Sequence, residues 1–313
     1  MLDLHRLRLL KEFAARGTIA ATAAALGYTP SAVSQQLAAL EREAGTALLD
    51  RTARSAELTD AGLRLTAHAE RILAQVEEAE ADLSVQAREP SGRVSVAAFP
   101  TAAAAFAPAL ARSLRAHPGL TLLLRQTQRA EGLRQVSSAE VDVALVDDWS
   151  GGLAGTESPL LRFYPLVRDP LVLVVPRGHR LADPAEPVDL RQLRETSRWM
   201  AAPAGEPSRQ AVDLLLAGVG GAPPVPWEFE GLGTILSLVA RGIGIAAVPR
   251  LALAAGDARV AVRELPEGSP AREVYAVARA ASVRRPSVAV ILTALHDGAE
   301  HLPGRGGRNR AVS

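Results

Sequence analysis

The sequence contains no cysteine among its 313 residues. This absence excludes disulfides, thiolate metal ligands and thiol-based redox sensing in this chain. A strong charge of one sign is also missing, since the net charge is only +1. A chain with this balance does not coat nucleic acid indiscriminately, so any contact with DNA must come from individually placed residues.

Long hydrophobic runs are lacking as well. No stretch of about 18 uncharged apolar residues occurs, so no membrane span is expected. The N-terminal segment MLDLHRLRLLKEF is charged and amphipathic, which is unlike a secretory signal peptide. We therefore expect a cytoplasmic protein that has no membrane partner.

Motifs for catalysis, cofactors and metals are also lacking. The chain has no GxxxxGK[ST] loop, HExxH motif or GxSxG elbow, and its six histidines are scattered. GIGIAA at 242–247 imitates a dinucleotide fingerprint, but it lies between a helix and a following strand, the reverse of the order that phosphate binding needs. Asp147 and Asp148 follow a predicted strand end, yet adjacent strand residues point to opposite faces and do not form a cooperating pair. We predict no enzyme activity, no metal and no cofactor.

Hydrophobic periodicity and punctuation predict a small helical domain at residues 1–58. Three helices are predicted, at 3–15, 19–26 and 30–44. The second and third are joined by the short turn 27–29, and this arrangement is typical of a helix-turn-helix. Residues 46–58 favour a two-stranded wing.

The third predicted helix carries the face that we expect to contact DNA. Val33, Leu37 and Leu40 fall at helical spacing and are predicted to face the core. The opposite face is polar near its N-terminus, where glutamine can bond an adenine edge and serine a base or a phosphate. The predicted DNA-contacting residues of this helix and its cap are Thr29, Pro30, Ser31, Ser34, Gln35 and Gln36. On the wing, Arg51 and Arg54 suit phosphate or minor-groove contact. The alternative for each residue taken singly is a solvated polar surface.

Residues 59–89 predict one long helix, with Thr59 as its cap. Leucine, isoleucine and valine alternate there with many charged residues, and the helix is too long to pack against a 60-residue domain alone. We expect dimerisation through this helix, with a solvated linker as the alternative.

Glu89-Pro90-Ser91-Gly92 interrupts the helical pattern and marks a domain boundary. Beyond it, strand-like and helix-like segments alternate, which favours an α/β fold with largely parallel, buried strands. Strands are predicted at 93–98, 120–125, 141–146, 170–175, 244–248 and 272–279. Helices are predicted at 102–116, 129–138, 205–218, 232–241 and 284–297. About 200 residues is generous for one such sheet, so we expect two lobes with a cleft, followed by a disordered tail at 299–313.

The N-terminal 60 residues resemble the winged helix-turn-helix of LysR-type transcriptional regulators. The segments that carry the resemblance are GTIAATAAALGYTPSAVSQQLAALEREAGTALLDRTAR and LTDAG, and it extends more weakly to about residue 298. Ile19 and Leu49 depart from it, because the family usually has phenylalanine there. The resemblance implies a winged helix-turn-helix, a long linker helix at 59–89 and a two-lobed, periplasmic-binding-protein-like effector domain at 90–298.

The same resemblance implies how the two lobes divide the chain. Lobe one would comprise 92–164 and 270–298, and lobe two would comprise 168–266. The chain would cross between them near Tyr164–Arg168 and Glu264–Ser269.

Thr101 is the predicted effector-binding residue that the chain's own pattern supports. It lies where the first strand of this domain meets a helix, so its hydroxyl stands beside open backbone N–H groups; a simple helix cap is the alternative. By the resemblance, five further residues could line the cleft, namely Gln128, Trp149, Ala202, Pro203 and Thr234. The segment 229–233, FEGLG, lacks polar side chains that relatives often carry after the acidic residue, which favours a less polar effector or contact through backbone N–H groups.

The sequence thus predicts a regulator that binds double-stranded promoter DNA as a homodimer or homotetramer and responds to an unknown small-molecule effector. Three alternatives remain open at this point. A solute-binding or transport component would share the C-terminal fold, an enzyme would need a catalytic cluster, and a DNA-binding repressor would need no effector at all.

Overall fold

The computed structural model describes residues 1–51, 56–85, 90–156, 158–221, 225, 227–254, 256 and 258–302. The N-terminal domain and the helix that follows it consist of α1 (Leu4–Arg16), α2 (Ile19–Leu26), α3 (Pro30–Ala44), β1 (Leu49–Arg51), β2 (Ala56–Leu58) and α4 (Asp60–Val85). The predicted helix-turn-helix is confirmed residue for residue at α2 and α3, and the wing is an antiparallel pair of β1 and β2.

Capping side chains define where the helices of the N-terminal domain begin. The hydroxyl of Thr29 accepts a hydrogen bond from the N–H of Ala32 at 3.2 Å, and Pro30 supplies a first-turn residue whose φ is already helical. Gly27 ends α2 with a φ of 71°, a left-handed conformation that a residue with a Cβ adopts only at a cost. The angle between α2 and α3 is therefore fixed locally.

The core of the N-terminal domain lies between α1, α3 and the start of α4. Val33, Leu37 and Leu40 are all buried, which confirms the inward face predicted for α3. They pack with Leu10 and Phe13 of α1. Each such side chain contributes roughly 1.5–3 kcal/mol by leaving water, so α3 is held firmly by its apolar face while its polar face stays outside.

The long helix predicted at 59–89 is confirmed over Asp60–Val85, and residues 86–89 lie outside the described residues. Thr59 caps it, since its hydroxyl accepts from the N–H of Gly62 at 3.0 Å and donates to the carbonyl of Ala47 at 2.9 Å. Because Ala47 precedes the wing, the same side chain ties the start of α4 to the wing.

The C-terminal domain begins at β3. In chain order its strands and helices are β3 (Gly92–Ala98), α5 (Pro100–Ala116), β4 (Leu120–Gln126), α6 (Arg129–Ser137), β5 (Val143–Asp148), β6 (Leu161–Pro176), α7 (Leu190–Thr196), β7 (Met200–Ala201), α8 (Pro207–Ala217), β8 (Trp227–Glu228), α9 (Leu232–Val239), β9 (Ala246–Pro249), β10 (Val260–Glu264), β11 (Ala271–Arg279) and α10 (Pro286–Glu300). Two short 3₁₀ turns lie at Arg180–Ala182 and Arg250–Leu253.

Seven strands form one mixed sheet in the order β10-β6-β11-β5-β3-β4, with β9 also paired to β6. Only the β3–β4 and β3–β5 pairs of this sheet are parallel, and its other described pairs are antiparallel. The prediction of a largely parallel sheet was therefore wrong. Strands that carry the chain between the lobes in opposite senses, β6 and β11, must run antiparallel where they meet. The short pair β7–β8 outside this sheet is parallel.

Strand β6 belongs to both lobes. Its first part, residues 161–170, pairs with β11, and its last residues pair with β9 and β10. Separate hydrophobic clusters lie on either side, one centred on Phe106 and Ile291 and another on Leu173 and Trp199. The residues predicted as the first crossing, 164–168, lie inside this continuous strand rather than in a loop.

Several elements were not predicted from the sequence. The strand prediction at 170–175 missed the first half of β6, and β7, β8, β10 and α7 were missed entirely. These are short, or they mix charged and apolar residues, so they carry little periodicity. Helix α10 reaches Glu300, two residues into the predicted tail, and residues 303–313 lie outside the described part. Within the described ranges, no helix combines the length and apolar character needed to cross a bilayer.

Candidate functional site

The polar face at the N-terminal end of α3 is exposed in the structure. Pro30, Ser31 and Gln35 lie at the surface, and Ser34 is half-buried beside them. Thr29 is also exposed, and its oxygen is engaged by the first turn of the helix while its O–H remains able to donate. The six residues predicted from the sequence therefore share one end of one helix, which has the size and polarity of a groove-reading surface.

Gln36 differs from Gln35 because its side chain is hydrogen-bonded to α1. Its Oε1 accepts a hydrogen bond from Nε of Arg6 at 3.0 Å, and the same guanidinium pairs with Glu43. This bridge joins α1 to the middle and to the C-terminal end of α3. Gln36 therefore has one of its two acceptor positions occupied and a half-buried side chain, whereas Gln35 is exposed.

Only one of the two predicted wing arginines lies among the described residues. Arg51 is the last residue of β1, and Arg54 lies outside the described residues. One residue near the reading face was missed from the sequence. The exposed Tyr28 precedes the α3 cap and stands edge-on to His5, with 5.8 Å between ring centroids. An aromatic residue in a polar turn was the available signal.

The second polar site centres on Arg272, which is only 4% exposed. This guanidinium donates to Asp169 at 2.8 Å, to Asp147 at 2.9 Å and to the hydroxyl of Thr101 at 2.7 Å. It connects β11, β6, the end of β5 and the first turn of α5. Arg272 therefore occupies the position in front of Thr101, where the sequence predicted an effector contact.

Asp169 and Arg272 lie directly opposite each other on β6 and β11. Burial raises the pKa of Asp169, although Arg272 and the N–H of Leu251 at 2.9 Å lower it in part. A buried carboxylate is tolerated only when it is paired and hydrogen-bonded, and both conditions hold here. Asp147 is a second carboxylate for Arg272, and Arg250, the other cation that acts on Asp169, pairs with Glu264. Both cations are therefore compensated, so this site has no spare positive charge for an anionic ligand.

Two aromatic rings frame the guanidinium. Its Cζ lies 4.6 Å from the ring centroid of Phe99 and 5.6 Å from that of Trp149, within the range of cation–π attraction. Trp149 belongs to lobe one but packs against the apolar cluster of lobe two. Its buried Nε1 has no hydrogen-bond partner among the described residues, which leaves one donor in the cleft unsatisfied.

Asp148 points away from this cluster. It accepts hydrogen bonds from Arg129 at 3.1 Å and from the N–H of Leu153 at 2.7 Å. Burial alone would raise the pKa of Asp148, but the donors of Leu153 and Ser150 outweigh it and lower the pKa. Asp147 and Asp148 thus serve opposite faces of β5, as the strand period predicted.

The other predicted effector residues lie elsewhere on the two lobes. Gln128 is the exposed N-cap position of α6. Ala202 and Pro203 follow β7, and Thr234 lies in the first turn of α9. In the described part of the chain these four residues are not among the contacts of Arg272, so Thr101 and Trp149 are the two that the cluster brings together.

Two protein-family models match this chain, one over each domain. The model for bacterial regulatory helix-turn-helix proteins of the lysR family matches residues 4–63, and the model for the LysR substrate binding domain matches residues 87–300. The chain belongs to the LysR family. It is therefore a LysR-type, DNA-binding transcriptional regulator with an effector-binding domain, as the sequence predicted.

Relatives and solved structures resemble this LysR-type chain over most of its length. The HTH-type transcriptional regulator CbbR of Xanthobacter flavus is 31% identical and covers 97% of this chain and 92% of its own. An uncharacterized HTH-type transcriptional regulator, YfeR of Shigella flexneri, is 31% identical over 78% of this chain and 74% of its own. The structure of a full-length OxyR variant from Pseudomonas aeruginosa covers 97% of this chain and 96% of its own, with a TM-score of 0.68 at 20% identity, and so shares the fold.

Arg272 is the residue that sequence reasoning missed in this LysR-type effector domain. It is the second residue of a strand of mostly apolar residues, and arginine is almost never fully buried unless it is paired. That combination was the available signal for a buried carboxylate partner. The identity of the partners, Asp169 and Asp147, required the fold because both are more than 100 positions away along the chain.

Proposed function

We propose that the exposed N-terminal end of α3 reads base edges in the major groove, with Gln35 and Ser31 as the direct readers. The observation that carries this assignment is the exposure of these polar groups on a helix whose opposite face is buried. Thr29, Pro30 and Ser34 position the helix end against phosphates, and Arg51 and Arg54 extend the contact from the wing. Gln36 has the smaller part, because Arg6 already holds its carbonyl oxygen.

We further propose a homodimer or a homotetramer in the cytoplasm, acting as a regulator rather than as an enzyme. Two copies would place their α3 helices on half-sites about 34 Å apart, or a multiple of that distance. The test is DNase I footprinting of the purified protein on the intergenic region upstream of its own gene. A protected two-part site that Gln35→Ala protects only at a higher protein concentration than the wild type needs supports the assignment. Retention of the wild-type footprint by Gln35→Ala contradicts it.

For the effector, we propose that the cleft at Thr101, Trp149 and Arg272 binds a small molecule through acceptor oxygens. Trp149 offers an unsatisfied indole N–H, and the hydroxyl of Thr101 can donate while it accepts from Arg272. Because Asp147 and Asp169 neutralise Arg272, an uncharged or weakly charged ligand fits this site better than a carboxylate does. Gln128, Ala202, Pro203 and Thr234 would line the outer parts of the cleft.

A metabolite screen tests the effector site, with the indole fluorescence of the protein as the readout. Binding at this cleft should change the emission of the wild-type protein, and Trp149→Phe should remove that change while leaving Trp199 and Trp227 in place. A ligand whose fluorescence change survives in Trp149→Phe binds elsewhere and contradicts the proposed site.

A regulator without an effector is the second possibility, and one observation favours it. Arg272 already satisfies Thr101, Asp147 and Asp169, so the cleft is stable as it stands. Under that alternative, operator affinity in a cell extract would equal the affinity of the purified protein.

A further inference from the structure

Helix α1 of the DNA-binding domain contacts lobe one of the same chain through two polar pairs. Nζ of Lys11 donates to the carbonyl of Ser137 at 2.6 Å, and Arg16 pairs with Glu140. These two pairs are called the α1 contact below. They join residues more than 120 positions apart, so they are tertiary contacts between the two domains and not a local feature of the linker.

Charges on both sides of the α1 contact are arranged around Arg16. Its Nε donates to Glu12 at 3.1 Å, and Glu12 is itself buried. On lobe one, Glu140 also accepts from Arg134 at 2.7 Å and from the hydroxyl of Ser138 at 2.9 Å. Arg16 therefore bridges a carboxylate of its own domain and a carboxylate that lobe one holds in place.

Two elements of lobe one run from the effector cleft to the α1 contact. Helix α6 starts beside Gln128 at the cleft and ends at Ser137, and β5 starts just after Glu140 and ends at Asp147 and Asp148. Arg129 and Asp148 tie the two elements together at the cleft end. As regular units, α6 with its nine residues spans about 13 Å and β5 with its six residues roughly 17–20 Å. A shift at the cleft therefore moves the residues that hold α1.

Backbone geometry singles out the turn between these two elements. Ala139 has a φ of 65°, a left-handed value that is uncommon for a residue other than glycine, and it lies between Ser137 and Glu140. Such conformations persist only where the surroundings enforce them. The turn that presents both partners of α1 is thus a strained one.

Packing around the α1 contact is incomplete. A cavity of about 240 Å³ lies where α1 and α4 face lobe one, with Leu73 and Val76 of α4 among its lining residues. A contact that borders a cavity of this size, partly open to solvent, lacks the close packing of a core. It can therefore open without disrupting either domain.

The α1 contact leaves the reading face of α3 free. Ser31 and Gln35 remain exposed while α1 is docked. Docking therefore sets the orientation of the DNA-binding domain and does not block it. We propose that α1 docks on lobe one of its own chain and that α6 and β5 transmit the state of the effector cleft to the DNA-binding domain through this contact. The transmission part rests on the effector cleft proposed above.

The reactivity of Lys11 measures docking directly, because Lys11 is the only lysine in the sequence. The purified full chain is treated with a low concentration of an N-hydroxysuccinimide ester, and acylation is followed by mass spectrometry. The α-amine of Met1 serves as the internal reference. Glu140→Gln and Arg16→Gln are each expected to raise the acylation rate of Lys11 by at least about threefold, and the double variant should add little to the larger single effect.

Glu131→Gln is the matched control, since Glu131 also pairs with Arg134 but is not part of the α1 contact. This substitution should leave the acylation rate of Lys11 unchanged. Circular dichroism confirms that each variant is folded before acylation. The docking is overturned if Glu140→Gln and Arg16→Gln are folded and Lys11 is still acylated at the wild-type rate in both.

Transmission is tested from the cleft end with Arg129→Gln, which removes the tie to Asp148 and needs no effector. We expect the acylation rate of Lys11 to change by about twofold or more. Arg162→Gln, at an exposed position on β6, is the control and should leave this rate unchanged. An unchanged rate overturns the transmission. Neither DNA nor effector enters this assay, so its failure is distinguishable from a failure of the footprint or of the metabolite screen.

Discussion

Two adjacent glutamines show how the structure separates residues that look equivalent in the sequence. Gln35 is exposed, whereas Gln36 is half-buried and bonded to Arg6. The helical period places them 100° apart, which is enough to put one toward a groove and the other toward α1. Their different surroundings lead to different expectations for their substitution.

Gln35→Ala should weaken binding to a specific operator by roughly 1–3 kcal/mol and relax selectivity at one base position. The physical reason is the loss of an amide that can bond an adenine edge. Gln36→Ala is the matched control, and it should instead lower the stability of the N-terminal domain by freeing Arg6. Titration of wild-type and singly substituted operators by fluorescence anisotropy measures both. An equal loss for Gln35→Ala on every operator would remove its assigned role.

Arg272→Met should destabilise the C-terminal domain by about 3–5 kcal/mol, because it leaves the buried Asp169 carboxylate without its cation. Adding Asp169→Asn should recover part of this loss, since asparagine keeps an acceptor for the N–H of Leu251. Urea unfolding of the three proteins measures the effect. If the double variant is no more stable than Arg272→Met, the unpaired charge is not the cause.

At the scale of elements, the start of α4 and the wing form one unit. Thr59 bonds both, and Gly62 lies so close to the wing strand that an added Cβ would stand 2.2 Å from the carbonyl oxygen of Leu48. No real Cβ approaches a backbone atom at that distance, so the two elements must separate for any larger residue. The direction in which α4 leaves the DNA-binding domain therefore depends on this glycine.

Gly62→Ala should destabilise the N-terminal domain by roughly 1–3 kcal/mol through overpacking. Gly233→Ala in α9 is the control, because a Cβ there meets nothing within 4 Å. Alanine in that helix should be neutral or stabilising by about 0.4–1 kcal/mol. Thermal unfolding by circular dichroism compares the two. A Gly62→Ala protein as stable as Gly233→Ala would show that α4 and the wing separate easily.

At the scale of the whole molecule, α4 presents apolar side chains that the single chain does not cover. Leu63 is 56% exposed and Ile72 is 38% exposed. Scattered apolar residues on a surface are ordinary, and these two, nine positions apart, lie on opposite sides of α4. A helix–helix contact between copies would therefore cover one of these two faces. This is consistent with the proposed dimer.

The double variant Leu63→Glu/Ile72→Glu should convert dimers to monomers in sedimentation velocity, because it places a carboxylate on each of the two opposite faces of α4, so either face would bury a charge at the contact. Gln75→Glu, at an exposed polar position of the same helix, should leave the dimer intact. Monomers would also lose the two-part footprint while keeping weak DNA binding. Unchanged sedimentation of the double variant would place the dimer interface elsewhere.

How much the sequence predicts depends on whether the signal is local. The α2–α3 unit was predicted to the residue because its caps, its glycine and its apolar period all lie within a few positions of one another. Thr101 and Trp149 each follow a recognisable strand end, and the structure brings both to Arg272, while their contact with an effector stays a prediction. The mixed sheet was not predicted, because strand direction depends on how distant segments cross between lobes.

The sequence by itself determined the family, the helix-turn-helix with its exposed polar end, and the alternation of the C-terminal domain, since each of these rests on short-range patterns. Only the tertiary structure decided what surrounds those residues. It paired Arg272 with Asp169 and Asp147, held Gln36 from behind with Arg6, and brought Lys11 and Arg16 onto lobe one. The physical reason is that buried and bridging charges are stable only with partners, and folding selects those partners from distant parts of the chain.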